Sequence, residues 1–289
     1  MKHAAPAVPL FMSRNQLPTG HDPLEGIGPN GAITTGAGRS NISQEFRSLL
    51  DKAIEHVNAA NVAHSLYVYG SVATGTARVG SSDVDLVTIG LDAESARAVA
   101  ATLTAAFPGL CRGAEIGPAQ MSDYEGPSDE AYGNRVFLRH YCVHLTGPDV
   151  AAGLPAFPAD TNAARGFNGD IGLRAERWRK ELLDTTNPAS LARRIARKTL
   201  FAVSGLVSIH DVTWTTDRIA AAHRWGGVRP HLAASLHTLI EWGGGQATPS
   251  RTEIQSALDG VVTDVVGDFK TRIGLWHQTR SNPRKPRAA

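Results

Sequence analysis

The segment Leu66-Tyr67-Val68-Tyr69-Gly70-Ser71 and, after eleven intervening residues, Asp83-Val84-Asp85-Leu86 decide how this chain folds. An apolar run rich in aromatic and β-branched residues that ends at Gly-Ser reads as a strand stopped by a turn. In the second segment, side chains alternate between the two faces of an extended strand. Asp83 and Asp85 therefore share one face, while Val84 and Leu86 enter a core. Two carboxylates held that close repel unless a cation sits between them. A hard divalent cation, Mg2+ with nucleotide phosphates completing its oxygen shell, meets that requirement most simply.

Upstream of this pair, Phe46, Leu49, Leu50, Ala53, Ile54 and Val57 recur at helical spacing and predict a helix over about 43–59, followed by a strand over 62–69. Residues 72–82 contain Gly75 and Gly80 and suit a short helix and turn, with the second strand over 83–89. Asp92 is an N-cap for a helix carrying Ala96, Val99, Ala100, Leu103 and Phe107, which ends before Pro108. A third strand is expected at Gly113-Ala114-Glu115-Ile116, cut short by Gly117-Pro118. A helix over Tyr132 to Tyr141 and a strand over Cys142 to Thr146 complete this region.

Residues 1–40, rich in Pro, Gly, Asn and Thr, read as irregular, and residues 151–160, with Gly153, Pro155 and Pro158, read as a linker. Beyond the linker every long segment has helical character. Asn187-Pro188 opens a helix lined by Leu191, Ile195, Ala202, Val203 and Leu206, and later helices are expected at about 215–224, 229–242 and 251–276. The fold class is thus α/β (α+β): a domain with a small mixed sheet at 41–150, then an all-helical bundle at 161–279 and a solvated basic tail at 280–289.

Composition narrows the function classes. With 29 basic and 27 acidic groups in 289 residues, the net charge of +2 argues against nucleic acid or an anionic membrane as a stable partner. Electrostatic work must be local. No apolar run approaches the roughly 20 residues that span a bilayer, and prolines and polar residues interrupt the first residues, so a cytoplasmic location is expected. Cys111 and Cys142 are isolated and match no disulfide or zinc pattern. His140 and His144 are four apart, but the helix-to-strand change between them points the rings in different directions, which argues against a metal pair.

The pattern Gly70-Ser71 with Asp83-Val84-Asp85-Leu86 resembles the signature of the nucleotidyltransferase superfamily typified by DNA polymerase beta. The stretch from about 42 to 225 further resembles the two-domain aminoglycoside nucleotidyltransferases of the streptomycin/spectinomycin adenylyltransferase type. The resemblance rests on Gly70-Ser71-Val72-Ala73-Thr74-Gly75, on Ser82 to Leu86, on Leu138 to Pro148, and on Arg194 to Gly205. It implies a nucleotidyltransferase domain joined to a helical domain, with ATP and acceptor in the cleft between them.

In that reading the Gly70 backbone and the Ser71 hydroxyl approach the triphosphate, and Asp83 and Asp85 hold Mg2+. Glu115 is the positional match to a third carboxylate, a metal ligand and the base that deprotonates the attacking hydroxyl, with Asp123 and Glu125 as alternatives. Arg193, Arg194, Arg197 and Lys198 lie in one helix. Positions four apart share a face, so Arg193 aligns with Arg197 and Arg194 with Lys198. Arg194 and Lys198 are the expected triphosphate contacts. Where the family carries a lysine soon after the Ser-Gly turn, this sequence has Leu206 to His210, leaving Lys198 or Arg218 for that role.

A polycationic acceptor needs acidic and aromatic partners, for which Glu176, Trp178, Glu181, Asp184, Asp211 and Trp214 are available. The implied reaction moves AMP from ATP to a hydroxyl of a small aminoglycoside or aminocyclitol. Two other readings stand beside it: the same chemistry on a protein or RNA hydroxyl, and a nucleotide-binding regulatory module without turnover.

Overall fold

The computed structural model describes residues 22–59 and 64–277. The first half of the segment expected to be irregular, the start of the strand expected at 62–69 and the basic tail lie outside the described residues. The chain opens with a two-stranded antiparallel ribbon, β1 (Gly26–Ile27) and β2 (Ile33–Thr34). Helix α1 (Arg47–Asn58) leads to β3 (Ser65–Tyr69), and α2 (Gly70–Thr74) is the short helical turn between β3 and β4 (Val84–Ile89). Next come α3 (Ala93–Ala106), β5 (Ala114–Ala119), α4 (Asp129–Tyr141) and β6 (Val143–Thr146). Asp92 caps α3 as its sequence implies, accepting from the backbone N–H groups of Glu94 and Ser95.

The main sheet has the order β5-β4-β3-β6, with β4 and β5 parallel and the other pairs antiparallel. One face packs Leu66, Val68, Val84 and Leu86 against Phe46, Leu49, Leu50 and Ala53 from the α1 region and Leu103 from α3. The opposite face buries Tyr67, Val87 and Ile89 against Tyr124 and Leu138. β5 is longer than its sequence suggests, running through Gly117 and Pro118 to Ala119. It is an edge strand, the one place in a sheet where a proline without an N–H is tolerated.

The helical part comprises α5 (Thr161–Asn168), α6 (Ile171–Asp184), α7 (Pro188–His210), α8 (Arg218–Val228), α9 (Ala233–Gly244), α10 (Arg251–Ala257) and α11 (Thr263–Arg272). α7 is its axis. The helix starts at Asn187-Pro188 as expected, with the Asn187 side chain accepting from the Ser190 N–H, and from Ile195 to Ser208 every residue is buried. A π-helical turn, Leu258–Val262, joins α10 to α11. The Leu258 carbonyl in that turn accepts from Arg179 Nη2 at 2.7 Å and from Thr263 Oγ1 at 2.8 Å.

Residues 151–160, read as the linker, connect β6 to α5 and are anchored: Phe157 is buried, its N–H donates to His140 Nε2 at 2.8 Å, and its carbonyl accepts from the Ile33 N–H at 3.0 Å. Residues 22–41 are likewise built into the fold, with Ile33 in the core and the Glu25 carboxylate accepting from Tyr141 Oη and from the Thr216 N–H and hydroxyl. The described residues of both segments are mostly irregular backbone held in place by tertiary contacts. Val136 and Phe137 of α4 share one core with Phe167, Ile195 and Leu200 of the helical part. At the α4–α5 crossing, a Cβ on Gly133 would lie 2.4 Å from the Gly166 carbonyl oxygen, so only glycines allow that approach.

Candidate active site

The site starts from strand register. β4 and β5 run parallel with Asp85 opposite Glu115, so the two carboxylates occupy adjacent positions on one face. Asp83 immediately precedes β4 and keeps the alternation, and on the other side Tyr69 pairs with Asp85. Three carboxylates on neighbouring strand positions thus stand next to the turn that ends β3.

Gly70 opens that turn at φ +68°, and a Cβ there would sit 2.8 Å from Asp85 Oδ2. Glycine is required twice over, by the left-handed backbone and by the carboxylate packed against it. Ser71 follows in the first turn of α2 and is partly exposed; its carbonyl accepts from the N–H groups of Thr76 and Ala77.

The electrostatics are those of crowded negative charge. Burial, and then Glu115 and Asp83 beside it, push the Asp85 carboxyl up to about 7. Burial also raises Asp83, against the opposing pull of Arg112. Arg112 grips Asp83 with two bonds, Nε to Oδ1 at 3.1 Å and Nη2 to Oδ2 at 2.7 Å. Among the described residues no three His, Cys, Asp or Glu side chains form a preformed metal cage. Mg2+ seldom needs one, because it is held by one or two carboxylates and completes its shell with waters and phosphate oxygens. An all-oxygen set whose central member is destabilised by its neighbours fits such a cation.

The helical part supplies a cationic wall. Arg197 is buried, with Nε donating to the Gly243 carbonyl at 3.0 Å and Nη1 without a hydrogen-bond partner. Burial, and then Arg218, Arg193 and Arg112, push it down to about 9, while Glu115 pulls the other way. Arg193 lies against Gly245 at the C-terminus of α9, and the Arg218 guanidinium sits 5.2 Å from the centroid of the Phe201 ring. Arg112 and Arg197 thus share one field with the carboxylates, and Arg193 and Arg218 crowd Arg197.

Not every residue singled out in the sequence comes to this site. Lys198 is buried within the helical core, its ammonium 2.6 Å from Asp170 Oδ1 and donating to the Phe167 carbonyl at 3.0 Å. Arg194 is bound to Glu181 on α6. One face of α7 carries Arg193 and Arg197 to the C-terminus of α9, with Arg197 also within the field of Asp83 and Glu115, whereas the other ties Arg194 and Lys198 to neighbouring helices. Helical spacing separates these two faces but does not say which one meets the strands.

Asp123 caps a short turn through the Gln120 N–H, and Glu125 is exposed. Of the acidic and aromatic residues considered for an acceptor, Trp178 is core, Glu176 and Asp184 are exposed, and Asp211 is held by Arg224 and His210. Trp214 is buried and donates to Tyr141 Oη at 2.7 Å, which in turn donates to Glu25 at 2.8 Å. Glu25 and Arg112 were absent from the sequence reading, since neither belongs to a periodic pattern. Arg112, three residues before Glu115 and at the mouth of the same strand, is the more recoverable of the two. His140 and His144 bond separately, to the Phe157 N–H and the Gly147 carbonyl, and form no metal pair.

A family model described as a nucleotidyltransferase domain matches residues 50–111. That span contains Gly70, Ser71, Asp83 and Asp85 and stops before Glu115. The small mixed sheet followed by helices agrees with a nucleotidyltransferase domain joined to a helical part, which supports nucleotidyl transfer as the general activity. No curated protein matches the sequence.

Proposed function

We propose that the protein transfers AMP from ATP to a hydroxyl of a small acceptor, with release of pyrophosphate. The observation that carries this reading is the alignment of Asp83, Asp85 and Glu115 on one face beside the Gly70 turn. Asp83 and Asp85 would hold Mg2+, with Glu115 at its margin. When bound, the cation neutralises phosphate charge and stabilises the leaving pyrophosphate.

The chain's own groups do the rest. The backbone at Gly70 and the Ser71 hydroxyl line the phosphates from the strand side. Arg197, with its unpartnered Nη1, meets them from the helical side, flanked by Arg193 and Arg218. Arg197 takes the role expected of Arg194 and Lys198. Glu115 accepts the proton of the acceptor hydroxyl as that oxygen attacks the α-phosphorus in line with the departing pyrophosphate oxygen. An aminoglycoside or aminocyclitol is the acceptor class that the sequence resemblance supports, and a cytoplasmic location accords with ATP as donor.

A second acceptor class, a protein or RNA hydroxyl, is favoured by a different observation. Glu181 and Asp211 are already neutralised by Arg194 and Arg224, while Arg112 and Arg197 oppose the site carboxylates, so uncompensated negative charge for a polycation is scarce. Incubation with ATP labelled at the α-phosphate and panels of aminocyclitols, proteins and RNA, with pyrophosphate measured in parallel, separates the two. Label on a drug and its loss in Asp85→Asn support the first reading. Nucleotide binding without label transfer to any acceptor would instead make the protein a binding module.

A further inference from the structure

Arg112 is placed where a metal would be needed. It lies in the turn between α3 and β5, and its backbone is fixed because its N–H donates to the Ser82 carbonyl at 3.0 Å. Its guanidinium covers both oxygens of Asp83, at 3.1 and 2.7 Å, and makes no other hydrogen bond among the described residues. The two partners differ in exposure. The Asp83 side chain is 7% exposed and the Arg112 side chain 54% exposed, so the arginine can leave while the carboxylate stays.

A carboxylate whose two oxygens both accept from a guanidinium has part of its charge neutralised and part of its lone-pair capacity taken. Free Mg2+ must compete with two charge-assisted bonds and with the positive charge of Arg112 to bind there. A nucleotide changes that balance, because its phosphates give the released guanidinium a new anionic partner. They would sit between Arg112 and Arg197, two cations whose fields already overlap.

We propose that Arg112 is a displaceable counter-cation for Asp83: it occupies the metal-binding carboxylate in the nucleotide-free protein and moves to phosphate when the metal–nucleotide complex arrives. Metal and nucleotide therefore bind cooperatively, and the protein binds free metal only weakly. The proposal rests on the nucleotidyl-transfer reading of the site. Arg112 is a positioning residue here, acting through Asp83. It takes no part in the covalent step; it uncovers Asp83 and then contacts phosphate.

The test uses the full chain and the electron spin resonance signal of free Mn2+, titrated with and without a non-hydrolysable ATP analogue. Wild type binds Mn2+ weakly alone and at least about tenfold more tightly with the analogue. Arg112→Ala binds Mn2+ alone about tenfold more tightly than wild type, so the coupling between metal and nucleotide collapses. A merely structural loss would weaken metal binding, so the sign is diagnostic.

Arg112→Lys, which cannot span both oxygens, falls between the two and covers the case in which alanine disturbs folding. If wild type shows nucleotide-dependent Mn2+ binding but neither variant binds free Mn2+ more tightly, the counter-cation proposal is overturned and the site reading stands. If no protein binds Mn2+ under either condition, both are overturned.

Discussion

Replacing Asp85 by Asn should abolish turnover and yet stabilise the metal-free protein. Asp85 is held among Glu115 and Asp83 in a poorly solvated position, which moves its carboxyl from 3.8 to about 7. A carboxylate raised in this way opposes folding. Between its unfolded value near 3.8 and its folded value near 7 the native state binds more protons than the unfolded state, so stability falls as pH rises through this window.

The full shift corresponds to about 4 kcal/mol at 1.36 kcal/mol per unit, and the partial solvent access of Asp85 reduces this to about 1–2 kcal/mol. In a chain of this size that is a gain of roughly 2–6 °C in melting temperature for Asp85→Asn at pH 8. The advantage should shrink as pH falls and vanish below about 4, where wild type is neutral at this position too. Thermal unfolding in chelator across pH 4–8 measures it, alongside pyrophosphate release, which should drop by at least about a hundredfold. A variant less stable than wild type at pH 8 in chelator would refute the claim that the carboxylates are held against their mutual repulsion.

The remaining predictions probe separate parts of the same site and its supports. Gly70→Ala meets both the left-handed φ and Asp85 Oδ2, whereas Gly80→Ala meets φ +75° with nothing nearer than 3.7 Å. Both should lose about 1–2 kcal/mol of stability in urea unfolding, but only Gly70→Ala should also lose more than about tenfold in turnover. Lys198→Met strips Asp170 of its buried cation and should cost about 2–4 kcal/mol, less than a fully isolated carboxylate because Arg174 remains 2.5 Å away. Arg197→Ala should leave the melting point within a few degrees and raise the KM for ATP about tenfold or more.

His140 is held down to about 4 by burial and by Arg139, with its ring accepting from the Phe157 N–H. Because the folded value lies below the unfolded 6.5, its contribution is complete above 6.5 and is lost as pH falls toward 4. His140→Gln should remove about 1–2 kcal/mol of that acid-dependent loss in unfolding titrations, after allowance for screening of this half-buried ring.

Local pattern made the strand half of the site legible. Alternation placed Asp83 and Asp85 on one face, and the apolar run before Gly70-Ser71 located the turn. The N-caps Asp92 and Asn187 marked helices that begin where their side chains predict. These features depend on residues within a few positions of each other, so the sequence carries them directly. Glu115 came only as the positional match that the family resemblance implies, and β5 runs past Gly117-Pro118 because the sheet edge spares the proline its missing bond.

Tertiary structure decided what spacing leaves open. Helical periodicity separated the Arg193/Arg197 and Arg194/Lys198 faces of α7, but only the packing of α6, α8 and α9 around that helix put Arg197, and not Lys198, in the field of the strand carboxylates. Glu25 and Phe157 lie in stretches whose composition predicts no regular structure, and they are ordered by partners more than a hundred positions away or across the domain junction. The Arg112–Asp83 contact joins residues 29 apart in sequence and exists because β4 and β5 run side by side from adjacent starting points. By itself the sequence determined which carboxylates stand together, and the packed chain determined which cations face them, since charge across a cleft is set by the fold and not by the neighbours along the chain.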